Sequence, residues 1–188
     1  MIRLIRPTKR LLATVKRAIP EYQNDPAEHV LSVKRLIDAL NDDFKTYFQD
    51  VRNNRFGIGL KKGYVPSTEL WLMDGDAYIG SVSIRHYLNK SLEKVGGHIA
   101  GEILPSYRGK GIAKKALRLS LSHLRRYHGV DRALVTCKAN NIASSKTLIA
   151  VMKHWGGWEI EPFCVDGILN RRFMIQASIK PFKTETTK

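Results

Sequence analysis

Apolar positions alternate or recur along most of this chain, and their spacing divides it into strands and helices before any residue is considered for chemistry. Ile2 to Arg6 alternates enough for a short strand. Leu11, Leu12, Val15, Ala18 and Ile19 then recur at helical spacing, with Thr8 as a fair N-cap. Asp25 and Pro26 suit the N-cap and N1 positions of a second helix, whose apolar face is Val30, Val33, Ile37 and Leu40 and which should end near Asn41. Residues 45–66 mix Asn, Gly, Lys and Pro without clear periodicity, which predicts a long irregular connection able to form part of a substrate site.

Leu70 to Met73 and Ala77 to Ile84 are apolar runs separated by Asp74, Gly75 and Asp76, a hairpin signal. A polar loop from Asn89 to Gly97 leads to a third strand, His98 to Leu104, stopped by Pro105. Gly111 opens a helix with Ala113, Ala116, Leu117, Ser120, Leu121 and Leu124 on its buried face, and Gly129 closes it. Ala133 to Cys137 is a short buried strand, and Asn141 caps a helix running to about His154. Trp158 to Val165 and Ile168 to Ala177 form a last hairpin around Asp166 and Gly167. This order predicts an α+β chain, a mixed sheet with helices on its faces, as one domain over residues 1–179 with a loose polar tail over 180–188.

A length of 188 residues with 43% apolar content fits one sizeable core. Cys137 and Cys164 match no metal-ligand spacing, so neither a disulfide framework nor a metal site is expected, and a reducing cytoplasm fits best. No apolar run approaches the roughly 20 residues that cross a bilayer, so no membrane is expected. The basic start, with six Lys or Arg and no acid in residues 1–20, has the flavour of a transit peptide but is poor in serine and reads as strand and helix of the fold. The formal charge of +15 favours an anionic partner, acidic or nucleic-acid-associated, although a solubilising surface explains it as well.

The chemistry concentrates between a strand and a helix, in Ile103, Leu104, Pro105, Ser106, Tyr107, Arg108, Gly109, Lys110, Gly111, Ile112 and Ala113. Small residues there let backbone approach a ligand, and the first helical amides have no internal acceptor, so the turn is an anion site. Arg108, Lys110, Lys114 and Lys115 add charge suited to a pyrophosphate. A dinucleotide fingerprint fails because Lys114 stands where a small residue is needed and Asp131 precedes its strand. A nucleotide P-loop fails because Lys110 is followed by Gly111 rather than Ser or Thr.

The turn resembles the coenzyme A turn of the GNAT acyltransferase superfamily, Arg or Gln, two residues, Gly, one residue, Gly or Ala, here Arg108, Gly111 and Ala113. After the next strand, Asn141 and Ser144 resemble the Asn-x-x-Ser helix start that flanks the pantetheine arm in that family. Arg85, His86, Leu88 and Asn89, with Gly96, Gly97, His98 and Ile99, resemble two segments of a bacterial predicted-acetyltransferase subgroup. The likeness runs from about residue 69 to residue 176, while the first 65 residues resemble the family only in element order. It implies a mostly antiparallel twisted sheet of about seven strands flanked by about four helices. It also implies an N-acetyltransferase that binds acetyl-CoA and acts on a primary amine, as a monomer or homodimer.

By that resemblance the backbone of Ile103 and Leu104 pairs with the pantetheine, the amides of Gly109 to Ala113 hold the pyrophosphate, Asn141 and Ser144 touch the arm, and Arg85 and Asn89 serve the substrate. Asn141 also suits a plain helix cap. An alkyl ammonium ionises near a pKa of about 10, so a base is needed, with Glu102 first and His86 and His98 in reserve. A strand glutamate is as often merely paired, and a lone histidine is more often packing. The tyrosine that protonates the thiolate in many relatives is replaced by Leu148. Cys137 and Cys164 read as buried strand cysteines rather than acyl carriers.

Two other functions stay open. One is a basic nucleic-acid or ribosome-binding module, which would need exposed aromatics among Lys and Arg, whereas Trp71, Tyr78, Phe163 and Phe173 fall in strand runs that read as core. The other is a non-catalytic acyl-CoA sensor, to which the missing tyrosine is relevant.

Overall fold

The computed structural model describes residues 1–177, so the tail expected over 180–188 lies outside the described residues. The chain runs β1 (Ile2–Ile5), α1 (Leu12–Gln23), α2 (Leu31–Asn41), α3 (Phe44–Phe56), β2 (Ser67–Asp74), β3 (Ala77–Arg85) and α4 (Lys90–Lys94). It continues with β4 (Ile99–Ile103), α5 (Ile112–His128), β5 (Arg132–Lys138), α6 (Ile142–Trp155), β6 (Gly157–Val165) and β7 (Ile168–Gln176). The mixed α+β class holds, but the described strands form two antiparallel sheets, β1-β2-β3-β4 and β5-β7-β6. They meet where the His98 amide donates to the Leu134 carbonyl at 2.7 Å, and no ladder continues from there between β4 and β5. The C-terminal part of β4 therefore keeps one free edge.

Both faces of the first sheet are covered, which explains why β2 and β3 read as nearly continuous apolar runs. Leu70, Leu72 and Ile79 pack toward Leu117, Leu121 and Leu124 of α5. Trp71, Met73 and Tyr78, one position out of phase, pack toward Val15, Ile19 and Tyr22 of α1, Leu36 of α2 and Tyr47 of α3. A buried polar group pins the second layer. The Tyr47 hydroxyl donates to Glu69 at 2.6 Å, Trp71 Nε1 donates to the Tyr47 oxygen at 3.0 Å, and Arg35 pairs with the same carboxylate. Burial pushes the Glu69 carboxyl up, and burial beside Glu69 pushes the Tyr47 hydroxyl up.

Several expectations need correction. The described residues contain six α-helices rather than about four. Residues 45–56 are helical rather than irregular, because Asp43 accepts from the amides of Lys45 and Thr46 and starts α3, while residues 57–66 form the expected irregular connection. A short α4, capped by Asn89, lies in the predicted polar loop. Asp25 and Pro26 do not start α2, which begins at Leu31 after Val30, because the Asp25 carboxylate faces Arg108 and the Ala27 amide instead. The buried face of α2 centres on Val33, Leu36 and Ala39, with Ile37 and Leu40 at its margin. Ala113 is exposed while Ile112 is buried. Cys164 is exposed and Phe163 half-buried, since the β6-β7 hairpin has solvent at its tip. No helix of the described residues is long and apolar enough to cross a membrane.

Candidate active site

The turn after β4 begins with one 3-10 turn, Pro105–Tyr107, held by Glu21 at the end of α1. Glu21 accepts from the Ser106 hydroxyl at 3.0 Å and from the Ser106 amide. Gly109 and Gly111 follow at φ 76° and 71°, the left-handed region that favours glycine, and a Cβ added to either meets nothing within 4 Å. Gly111 is the N-cap of α5. The amides of Gly109, Lys110 and Gly111 have no hydrogen-bond acceptor among the described residues, and those of Ile112 and Ala113 open the helix. The result is an open cradle of donors at the positive end of a helix of 17 residues.

Two bonds locate the free edge of β4. Arg85 N–H donates to the His98 carbonyl at 2.8 Å and Leu104 N–H to the Ile79 carbonyl at 3.0 Å. Alternation along an antiparallel strand then turns the backbone groups of Ile99, Gly101 and Ile103 away from β3. Ile103 lies on that edge, and its carbonyl accepts from Arg108 Nε at 3.1 Å. Leu104 is engaged on both sides, its amide by Ile79 and its carbonyl by Tyr107.

Glu102 lies beside this edge in a compact ionic group. Its Oε1 is 2.7 Å from His29 Nδ1 and 3.3 Å from Arg108 Nη2, and its Oε2 accepts from the Val30 amide at 3.0 Å. Arg108 Nη2 also sits 2.6 Å from Asp25 Oδ2, and that guanidinium holds the Asp25 carboxyl below the usual carboxylate range. The Arg108 side chain thus points at two carboxylates rather than toward the cradle. Lys110 also folds back, donating to the Ser106 carbonyl at 2.9 Å. His29 Nε2 is 2.9 Å from the Tyr22 carbonyl, so both ring nitrogens face oxygen acceptors. Ligand atoms of Asp25, His29 and Glu102 lie within 4.8 Å of one another, a spacing a metal ion could use, and the Arg108 guanidinium already supplies positive charge there.

The other candidates divide by position. Asn141 Oδ1 accepts from the Ser144 amide at 3.0 Å, so the pair forms the cap of α6 beyond the end of β5. His98 Nδ1 accepts from the Leu134 amide at 3.0 Å, which with its own amide bond makes it the clamp between the sheets. Arg85 Nη1 donates to the carbonyls of Gly96 and Gly97 at 3.0 and 2.8 Å and shapes the turn before that clamp. Asn89 caps α4 and donates to the Gly63 carbonyl at 2.8 Å. His86 is stacked on His128, 3.9 Å between ring centroids, at the far end of α5 from the cradle. Leu148 is buried in the core. Cys137 is buried 3.4 Å from the Ser145 hydroxyl, and burial pushes its thiol up.

Sequence reasoning missed Asp25, His29 and Glu28. All three come from the segment between α1 and α2, which spans from Glu102 to the end of β5, where Lys138 pairs with Glu28 at 2.6 Å. A contact across 73 residues leaves no local signal, and the Asp-Pro pair there reads as a helix start instead.

The family model described as an acetyltransferase (GNAT) domain matches residues 17–156. No curated protein matches. Among solved structures, RimJ of Mycobacterium smegmatis in complex with CoA-disulfide is similar at 17% identity, covering 93% of this chain and 80% of that one, with a TM-score of 0.61. A ribosomal-protein-S5-alanine acetyltransferase from Vibrio fischeri is 16% identical over 96% of this chain and 94% of that one, TM-score 0.59. A mutant of the spermidine N-acetyltransferase SpeG from Vibrio cholerae is 13% identical over 94% of this chain and 95% of that one, TM-score 0.55. At these identities the solved structures show a shared fold.

Proposed function

The chain belongs to the GNAT acetyltransferase family, and from that premise we propose that it transfers acetyl from acetyl-CoA to a primary amine by direct attack, with the His29–Glu102 pair taking the proton. The observation that carries this reading is the placement of Glu102, on the free-edged strand that leads directly into the amide cradle.

The residues present fit the donor. Open space above Gly109 and Gly111 and their unpaired amides suit a pyrophosphate, and the free edge at Gly101 and Ile103 suits an extended amide arm. Asn141 and Ser144, at the start of α6, would also hold that arm. Bound acetyl-CoA supplies an activated thioester carbonyl. The protein's own contribution is to hold an amine beside β4 and to receive the proton that the amine sheds as its C–N bond replaces the thioester C–S bond, with CoA leaving as a thiolate. A general base accepts a proton only in its deprotonated form, so the rate should rise with pH. Asp25 and Arg108 hold the Glu102 carboxylate in place. A covalent cysteine route does not suit the site, because the Cys137 thiol is buried and its ionisation is disfavoured.

The +15 charge favours an acceptor amine carried on an acidic or nucleic-acid-bound protein over a free polycation. The test is thiol release from acetyl-CoA against a panel of peptide α-amines, lysine peptides and polyamines. Turnover is expected with at least one protein-type amine. Glu102→Gln should lower kcat about a hundredfold and flatten its rise with pH while leaving acetyl-CoA affinity unchanged. Unchanged kcat in that variant would remove the proposed base, and donor binding without turnover on any amine would point to an acyl-CoA sensor.

A further inference from the structure

At the end of α5 opposite the cradle, about 25 Å away for 17 residues at 1.5 Å each, a different surface is assembled. Phe56, Tyr64, Tyr87 and Tyr127 are each more than half exposed there. They are not scattered. The Arg55 guanidinium lies 5.3 Å over the Phe56 ring, and the segment after α3 is drawn to the end of β3 by Asn89 on the Gly63 carbonyl and by the His86 amide on the Pro66 carbonyl at 3.0 Å. His86 stacks on His128, and His123, beside both, packs at 4.5 Å against Tyr127.

The three segments that build this end carry charge of one sign, bounded by Asp50, Glu93 and Asp131. Residues 51–66, 86–92 and 121–130 contain seven lysines and arginines and no aspartate or glutamate. Of these Arg125 pairs with Asp131 at the margin. Burial first, then the fields of His128 and Arg55, push His86 down to about 4, and a similar set including Arg6 pushes His123 down to about 4. The histidines are neutral at neutral pH, and the positive potential comes from the arginines and lysines around them.

We propose that this end of the molecule is a second binding surface, for single-stranded nucleic acid. Bases have faces that stack on exposed aromatic rings, and cations between the rings pair with phosphates without reading sequence. Paired bases in a duplex hide those faces. An acidic polypeptide would satisfy the charge but gives no use for four exposed rings. The surface is independent of the acetyl-transfer reading, and the aromatics that carry it lie outside the strands.

The test is fluorescence anisotropy of a short labelled oligouridylate with the full chain at several salt concentrations. Roughly micromolar binding at low salt is expected. Lys61→Glu with Lys62→Glu should weaken it by at least about tenfold and lower the slope of log K against log salt by about 1.4, two contacts at about 0.7 each. Tyr64→Ser with Tyr127→Ser should weaken it about tenfold with the slope unchanged. Lys9→Glu with Lys16→Glu, at the opposite end of α3, should have little effect. All these residues but Lys9 and Lys16 are on the proposed surface, and thermal melting confirms that each variant is folded. No binding at low salt overturns the proposal, as does an equal loss from the Lys9 and Lys16 control. Polyglutamate competing as well as oligouridylate, with the tyrosine variant unaffected, overturns it in favour of an acidic protein partner.

Discussion

Glu102 and Arg108 are both legible in the sequence, yet their relation is not. The motif suggests that the Arg108 charge serves a phosphate, whereas its guanidinium joins Asp25 to Glu102. His29 has no signal because its partner is 73 residues away. His86 and His98 show the opposite case, residues singled out for their titration that the fold uses for stacking and for clamping. The depressed histidines carry a pH prediction. Their folded values of about 4 lie below an unfolded value near 6.5, so the unfolded chain binds more protons between the two. Stability from His86 and His123 is therefore complete above about pH 6.5 and lost as pH falls toward 4. After allowance for their partial exposure, roughly 1–2 kcal/mol is involved. Urea denaturation at pH 7 and near pH 4.5 should show a smaller loss in His123→Gln than in the wild type, and an equal loss would contradict the assignment.

At the scale of elements, strongly periodic or sharply punctuated segments are readable. α5 with Gly111 and Gly129 at its ends, α6 with Asn141 as cap, and both hairpins fall where the pattern puts them. α3 is not readable because only Phe44 and Tyr47 are buried, while the exposed positions Lys45, Thr46, Gln49, Asp50, Arg52 and Phe56 mix polar residues with an aromatic. Tertiary contacts of those two rings and the Asp43 cap supply what periodicity does not. Asp43→Ala should thus cost about 1 kcal/mol and lower the melting temperature by a few degrees. No change would mean that packing alone holds the start of α3. The start of α2 is misplaced by the pattern because an Asp-Pro pair suits a helix N-terminus equally well, and only the distant Arg108 decides the use of Asp25.

For the whole molecule, seven strands and their antiparallel character are within reach of the sequence, but the division into two sheets is not. That division depends on β4 and β5 meeting only at His98 and Leu134, a contact at which a Cβ on Gly97 would collide with the Leu134 carbonyl. Separation of the strands leaves an edge and a cradle at one end, and the paired end leaves the basic aromatic surface at the other. The central claim concerns the cradle, and calorimetric titration with acetyl-CoA tests it most directly, using the wild type and Gly111→Trp, with a melting curve to show that the variant is folded. Micromolar binding by the wild type, lost when the introduced indole fills the open space above the turn, is the predicted result. No binding by the wild type, or equal binding by the folded variant, would contradict the account.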